Sequence, residues 1–177
     1  EPLWPEYPGK EKAILPLRLR PSALPAIADA AIEDIIVLGD RLELADSYDP
    51  ATLGSALHAV IASTILGQQA TSRILSDHRM DSVISADAAD EAARRLIEAL
   101  EDRFKPSLWY TEYPIAYTNE LGQVTSGWID LLIECEAGLV IIDHKTSPRG
   151  RSDWEDVAIS YSGQLHAYAE GLRACSK

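Results

Sequence analysis

The chain has 177 residues, 46% apolar and 25% charged, a composition that fits a globular domain with a core of its own. Acidic residues outnumber basic ones 28 to 16, for a formal net charge of -12, which excludes holding nucleic acid by bulk positive charge alone. No apolar run approaches the roughly 18 residues of a membrane span. Two cysteines, Cys135 and Cys175, are too few for a disulfide framework or a four-cysteine zinc or iron–sulfur site, so a reducing cytoplasmic setting is expected.

The opening "EPLWPEYPGKEK" is rich in proline, has no apolar signal core and does not begin with Met. Residues 1–20 are therefore expected to be an extended linker, leading from a longer protein into one domain over 21–177. At its end Leu17 and Leu19 alternate with Arg18 and Arg20, the pattern of a short exposed strand. "ALPAIADAAIEDIIVLGDRLEL" begins with a helical pattern and turns at Gly39–Asp40. "DPATLGSALHAVIASTIL" is a helix: Asp49 caps it, Pro50 suits its first position, and Leu53, Leu57, Val60 and Ile61 form an apolar stripe. "DEAARRLIEALEDRF" is a second helix, with Ala93, Leu96, Ile97, Leu100 and Phe104 inward.

Three strand signals follow. "LWYTEYPIAY" is aromatic, and its Pro114 marks an edge or a bulge. "VTSGWIDLLIE" and "GLVIIDHK" flank a short loop holding Gly138, which predicts an antiparallel hairpin. A polar loop, "SPRGRSDWED", leads to a third long helix, "DVAISYSGQLHAYAEGLRA". The expected fold is α/β: a central mixed sheet flanked by helices, in which the strand that would follow the last helix is missing from the sequence.

The hairpin puts charge into its most apolar stretch, and alternation says where. Trp128, Asp130 and Leu132 share one strand face, and Leu139, Ile141, Asp143 and Lys145 share another. If Glu134 pairs with Leu139, every paired couple sums to 273, and Asp130 falls opposite Asp143 on the same face. Opposed Cβ atoms lie about 4.5–5.5 Å apart, near enough for both carboxylates to meet one cation. Two bare anions there repel, and a divalent ion such as Mg²⁺ or Mn²⁺ removes the conflict. Lys145, two residues on, is then placed to orient a water or to stabilise charge on a phosphate. The same groups also fit a purely structural Asp–Lys cluster at a sheet end.

"GWID", then twelve residues, "DHK", and later "QLHAY", preceded by "LGSALHAVI", is a set of motifs that resembles the RecB-type branch of the PD-(D/E)xK nuclease superfamily. The likeness is nearest to the C-terminal nuclease domain of AddA-like and RecB-like helicase–nucleases, and it covers Leu53 to Tyr168. It implies a restriction-endonuclease-like core. It also implies His58, Asp130 and Asp143 as metal ligands, with the backbone carbonyl of His144 completing the shell. The His144 imidazole is expected on the opposite face. Lys145 becomes the catalytic lysine, Glu112 a catalytic-strand glutamate, and Gln164 and Tyr168 residues that line the site and help hold DNA. No Gly-x-x-x-x-Gly-Lys-Ser/Thr loop is present, so any unwinding belongs to a linked helicase domain or subunit.

The function implied is a Mg²⁺- or Mn²⁺-dependent exonuclease, without an iron–sulfur cluster, acting on single-stranded DNA in double-strand-break repair and recombination. A non-catalytic DNA-guiding or subunit-docking module is the alternative, and a stand-alone metal phosphohydrolase a third reading. Arg149 and Arg151 read equally as phosphate contacts or plain loop charges. Trp109 and Trp128 read as core, and Trp154 as an aromatic able to stack on an unpaired base. His78 and His166 read as solvated or structural.

Overall fold

The computed structural model describes residues 17–45, 47–147 and 149–175. Helix α1, Pro50–Ile65, starts as its sequence predicts: the Asp49 carboxylate accepts the Thr52 amide at 2.8 Å, and Pro50 occupies the first turn, where its missing N–H costs nothing. A short α2, Thr71–Asp77, follows. Helix α3, Ala86–Phe104, begins one turn earlier than its apolar pattern, because Ser85 caps it by accepting the Ala88 amide. Its buried residues are the small Ala89 and Ala93, so α3 lies close on α1, while Leu96, Ile97 and Leu100 are half-buried. Leu53, Ala56 and Val60 of α1 pack with Leu75, Met80, Val83 and Ile84 into a helical core.

The sheet is built on β3, Val124–Cys135. Antiparallel β2, Leu108–Thr118, covers one edge of β3 from Leu108↔Glu134 to Thr118↔Val124. Among the described residues no strand lies on the other side of β2, which is where Pro114 can be tolerated. β1, Arg18–Leu19, and β4, Gly138–Ile142, share the remaining edge of β3. β1 runs parallel to β3 at Val124–Thr125, and β4 runs antiparallel over Leu131–Cys135. The mixed sheet flanked by helices is the fold class that the sequence predicts. A short α4, Trp154–Ser160, leads into α5, Ser162–Cys175, whose Tyr168 packs with Ile115, Ile129 and Leu132 in a second core.

Two expectations about the entry change. Of the segment expected to be a linker, residues 1–16 lie outside the described residues, while Arg18 and Leu19 belong to the sheet. The helix expected in "ALPAIADAAIEDI" is absent: residues 24–44 carry only bends, a turn and irregular backbone. Contacts with distant elements, spread along this strap, override its helical pattern. The Ile27 amide donates to Ser162 Oγ at 2.8 Å, Arg103 pairs with Asp34 at 3.1 Å, and the Ala45 amide donates to the Val83 carbonyl at 3.0 Å.

At Gly163 the strap touches α5 so closely that a Cβ would stand 2.0 Å from the Pro25 carbonyl oxygen. That neighbour is backbone and cannot swing aside. Gly163→Ala is expected to cost roughly 1–3 kcal/mol in denaturant unfolding, as overpacking of a close contact does. Gly150→Ala, with 3.8 Å to its nearest atom, is the control and should change little.

Candidate active site

β2 fills one edge of β3, and among the described residues no strand pairs with positions 126–130 on the other, in the gap between β1 and β4. The site forms in this notch. The β3–β4 register is the expected one, with Glu134↔Leu139 and Leu131↔Ile142. The ladder stops there, so Asp130 and Asp143 occupy the next row, just where the strands part. At that point the His144 amide, freed from the ladder, donates to Asp130 Oδ2 at 2.7 Å.

Helix α1 brings His58 to the same place. Its Nε2 lies 3.0 Å from the His144 carbonyl oxygen and 3.7 Å from Asp130 Oδ2. Gly54, one turn earlier, explains how α1 comes so near: a Cβ there would meet Thr146 Oγ1 at 3.1 Å. The Gly-x-x-x-His spacing thus joins a close helix–loop approach to an imidazole on the same helix face.

His144 departs from expectation. Alternation sends its ring to the opposite face, but β4 ends at Ile142 and alternation no longer applies. The ring turns in, with Nδ1 4.0 Å from Asp130 Oδ2 and its centroid 5.3 Å from that of His58. His58, Asp130 and His144 each offer a ligand atom within 4.8 Å of the others. Both ring nitrogens of His144 are buried without a hydrogen-bond partner. Burial, helped by the nearby His58 charge, lowers its pKa to about 4.

Asp143 sits deeper, its side chain 3% exposed, in an ion pair with Lys145. Its Oδ1 accepts Gln164 Nε2 at 2.7 Å. Burial pushes this carboxyl up from its ordinary value; the Lys145 ammonium opposes that, and the Asp130 charge adds to it. The Lys145 Nζ stands 5.0 Å from the ring centre of Tyr161, a cation–π contact that sequence reasoning missed.

Gln164 and Tyr168 are 6% and 4% exposed, so both side chains lie beneath the surface next to Asp143. Gln164 Nε2 lies 3.1 Å from the Tyr168 oxygen, and the Tyr168 hydroxyl donates to the Trp128 carbonyl at 2.6 Å. This chain ties Asp143 to the notch edge of β3. Glu112 lies across from Asp130 on β2, between the pairs Thr111↔Leu131 and Tyr113↔Ile129, with a positive φ of 51° and an exposed side chain. Beyond Lys145 opens a groove of about 710 Å³ whose walls include Arg41, Arg149, Arg151 and Trp154.

The donor set fits a hard divalent cation: one imidazole, one carboxylate and one carbonyl converge, with a second carboxylate and an unpartnered imidazole beside them. These groups meet at a strand fork, beside an Asp–x–Lys pair. The chain belongs to the PD-(D/E)XK nuclease superfamily, whose family model matches residues 36–177. Among individual proteins it is similar to the ATP-dependent helicase/nuclease subunits of a Thermoanaerobacter species (strain X514) and of Thermoanaerobacter pseudethanolicus. Each is 26% identical over 201 aligned residues that cover 94% of this chain. The chain spans 16% of the length of these relatives.

A neutral His144 is favoured in the folded chain, and the unfolded chain takes up the proton first. Its contribution is therefore present above about pH 6.5 and is lost as pH falls toward 4. In metal-free protein, the unfolding free energy measured in urea should drop across that window, by up to about 3 kcal/mol from this group. His144→Gln is expected to flatten that part of the profile.

Proposed function

We propose that the chain is the nuclease unit of a helicase–nuclease: an exonuclease that hydrolyses phosphodiester bonds of single-stranded DNA during double-strand-break repair and recombination. Its metal is Mg²⁺ or Mn²⁺, its setting cytoplasmic, and its partner a linked helicase domain or subunit that delivers the strand. The observation that carries this reading is the convergence of His58, Asp130 and the His144 carbonyl beside the Asp143–Lys145 pair. Likeness to subunits named helicase/nuclease supports the linked motor. Among the described residues no helix is long and apolar enough to cross a membrane.

His58 and Asp130 would hold the metal together with the His144 carbonyl, and Asp143, whose carboxylate here meets Gln164 and Lys145, would supply the second carboxylate. When bound, a divalent ion lowers the pKa of a water and neutralises charge on the phosphate. The chain's own residues do the rest. Lys145, held by Asp143 and Tyr161, directs its ammonium at the attacking water and the phosphate oxygens, where negative charge grows. Gln164 and Tyr168 hold Asp143 in position, so Lys145 is aimed before substrate arrives. Glu112, across from Asp130, adds a carboxylate on the solvent side of the same row. Arg41, Arg149 and Arg151 supply positive charge along the groove next to Lys145, which an acidic chain needs for a polyanion.

Labelled single-stranded DNA incubated with the chain and Mn²⁺ or Mg²⁺ tests the reading. Wild type should shorten it, and Asp143→Ala and Lys145→Ala should each lower the rate by at least 10²-fold, as loss of charge stabilisation at a transition state does. Unchanged cleavage in both variants rules the mechanism out, and no cleavage by wild type points to a DNA-guiding module instead.

Metal affinity gives a separate check. Because ligands must shed protons to bind, Mn²⁺ affinity measured by calorimetry should rise with pH, in the direction that the raised Asp143 pKa demands. Asp130→Asn should abolish the binding.

A further inference from the structure

Trp128 reads as core in the sequence, yet it is 59% exposed in the middle of β3. Strand alternation puts Ser126, Trp128 and Asp130 on one face. The parallel pair Arg18↔Val124 carries Arg18, and Arg20 beyond it, to that face. Together they border a groove of about 850 Å³ that also touches Pro114 and runs in to Gln164 and Tyr168. It shares no lining residue with the groove beside Lys145. Only Ile129 separates Trp128 from Asp130 in the sequence.

The ring stands on rigid support. Its backbone is paired through Pro114↔Trp128, and its carbonyl is held by the Tyr168 hydroxyl. The nearby charges are also distinctive. Arg73, Arg94, Arg95, Arg103 and Arg173 each pair with a carboxylate. Among the described residues no ion pair engages Arg18 or Arg20. A flat aromatic face with two unmatched guanidinium groups, on a chain of net charge -12, is the recognition chemistry of an unpaired nucleotide: stacking for the base, cations for its phosphates. A duplex keeps its base faces stacked on one another and has none to offer.

We propose that Trp128, with Arg18 and Arg20, forms a seat for one unpaired nucleotide of the substrate strand and its flanking phosphates, immediately beside the bond to be cut at Asp130. The seat deepens the nuclease reading above and rests on it for its purpose, but the ligand class is tested by binding alone. The strand enters over Trp128, crosses the notch at Asp130 and Asp143, and leaves along Arg149 and Arg151. Selection for single strands is then a property of this domain, in addition to delivery by a motor.

The test is fluorescence anisotropy of a short labelled oligothymidylate on the full chain, with Ca²⁺ and no Mg²⁺ or Mn²⁺. The same oligonucleotide with abasic positions and a duplex of equal length serve as comparisons. Trp128→Ala should weaken oligothymidylate binding about 5- to 150-fold, the range for removing one base–aromatic stack. Trp128→Phe should keep most of the affinity, and duplex binding should not change. Wild type should lose a similar factor on the abasic strand, and Trp128→Ala should not distinguish the two strands. Arg18→Gln with Arg20→Gln should reduce the slope of log affinity against log salt by roughly 0.7 for each phosphate that is no longer neutralised. Unchanged binding by Trp128→Ala, equal losses on single strand and duplex, or no binding by wild type each overturn the seat. If the chain binds through Trp128 but cleaves nothing with Mg²⁺ or Mn²⁺, the seat stands and the nuclease reading fails.

Discussion

The hydrogen bond from the His144 amide to Asp130 marks where a β-ladder stops being structure and becomes a site. Up to Leu131↔Ile142 the two strands spend their backbone groups on each other. One row later a side chain takes the amide, the strands part, and the His144 carbonyl turns toward His58. The arrangement depends on register. A slip of one residue would send Asp130 to the other face and separate it from His58 and Asp143. The apolar residues before it hold that register: Leu131, Leu132 and Ile133 are all buried, so both faces of β3 would be disturbed by a slip. Truncating one such side chain costs about 2–5 kcal/mol, a large part of the stability of a domain this size.

That rigidity carries unfavourable groups. Asp143 is enclosed and its carboxyl is pushed up by burial, and the His144 ring is buried with neither nitrogen satisfied. An apolar core would exclude both groups, since unpaired buried polar atoms cost roughly 1–3 kcal/mol each. They sit at the seam between the helical core of α1 and the sheet core under α5, where neither cluster closes fully. A divalent cation held here would add positive charge beside Asp143 and an electron-pair acceptor beside the imidazole. Metal binding and local stability are thereby coupled.

Much of this was legible in the sequence for a physical reason: period-2 alternation and a short loop determine which residues meet. Asp49 and Pro50 announced the start of α1, and the pairing Glu134↔Leu139 followed from the hairpin loop. The misses share a cause too. Each lies where a local rule ends and a tertiary contact takes over. The His144 ring turned inward because β4 stops at Ile142, and the strap over 24–44 is not helical because Ser162, Arg103 and Val83 anchor it. Trp128 looks like core by composition, yet the uncovered notch edge leaves it exposed. Tyr161 carried no signal, since a cation–π contact joins residues that no spacing rule connects.

Net charge alone would argue against DNA, and the distribution of the cations answers that objection. Of the 16 basic residues, Arg18, Arg20, Arg41, Lys145, Arg149 and Arg151 border two grooves that include site residues. Arginines elsewhere, such as Arg94 and Arg95 on α3, are spent on Glu91. With a Debye length of about 8 Å at physiological salt, a phosphate in the notch responds to these near cations far more than to acidic surface beyond that range. The distant negative charge still acts on encounter, since it disfavours loose attachment to any polyanion. On the proposed function, such a domain would bind poorly to stray nucleic acid and well to a strand led into its groove. Tethering to a motor would supply that lead, because it raises the local strand concentration without adding a contact.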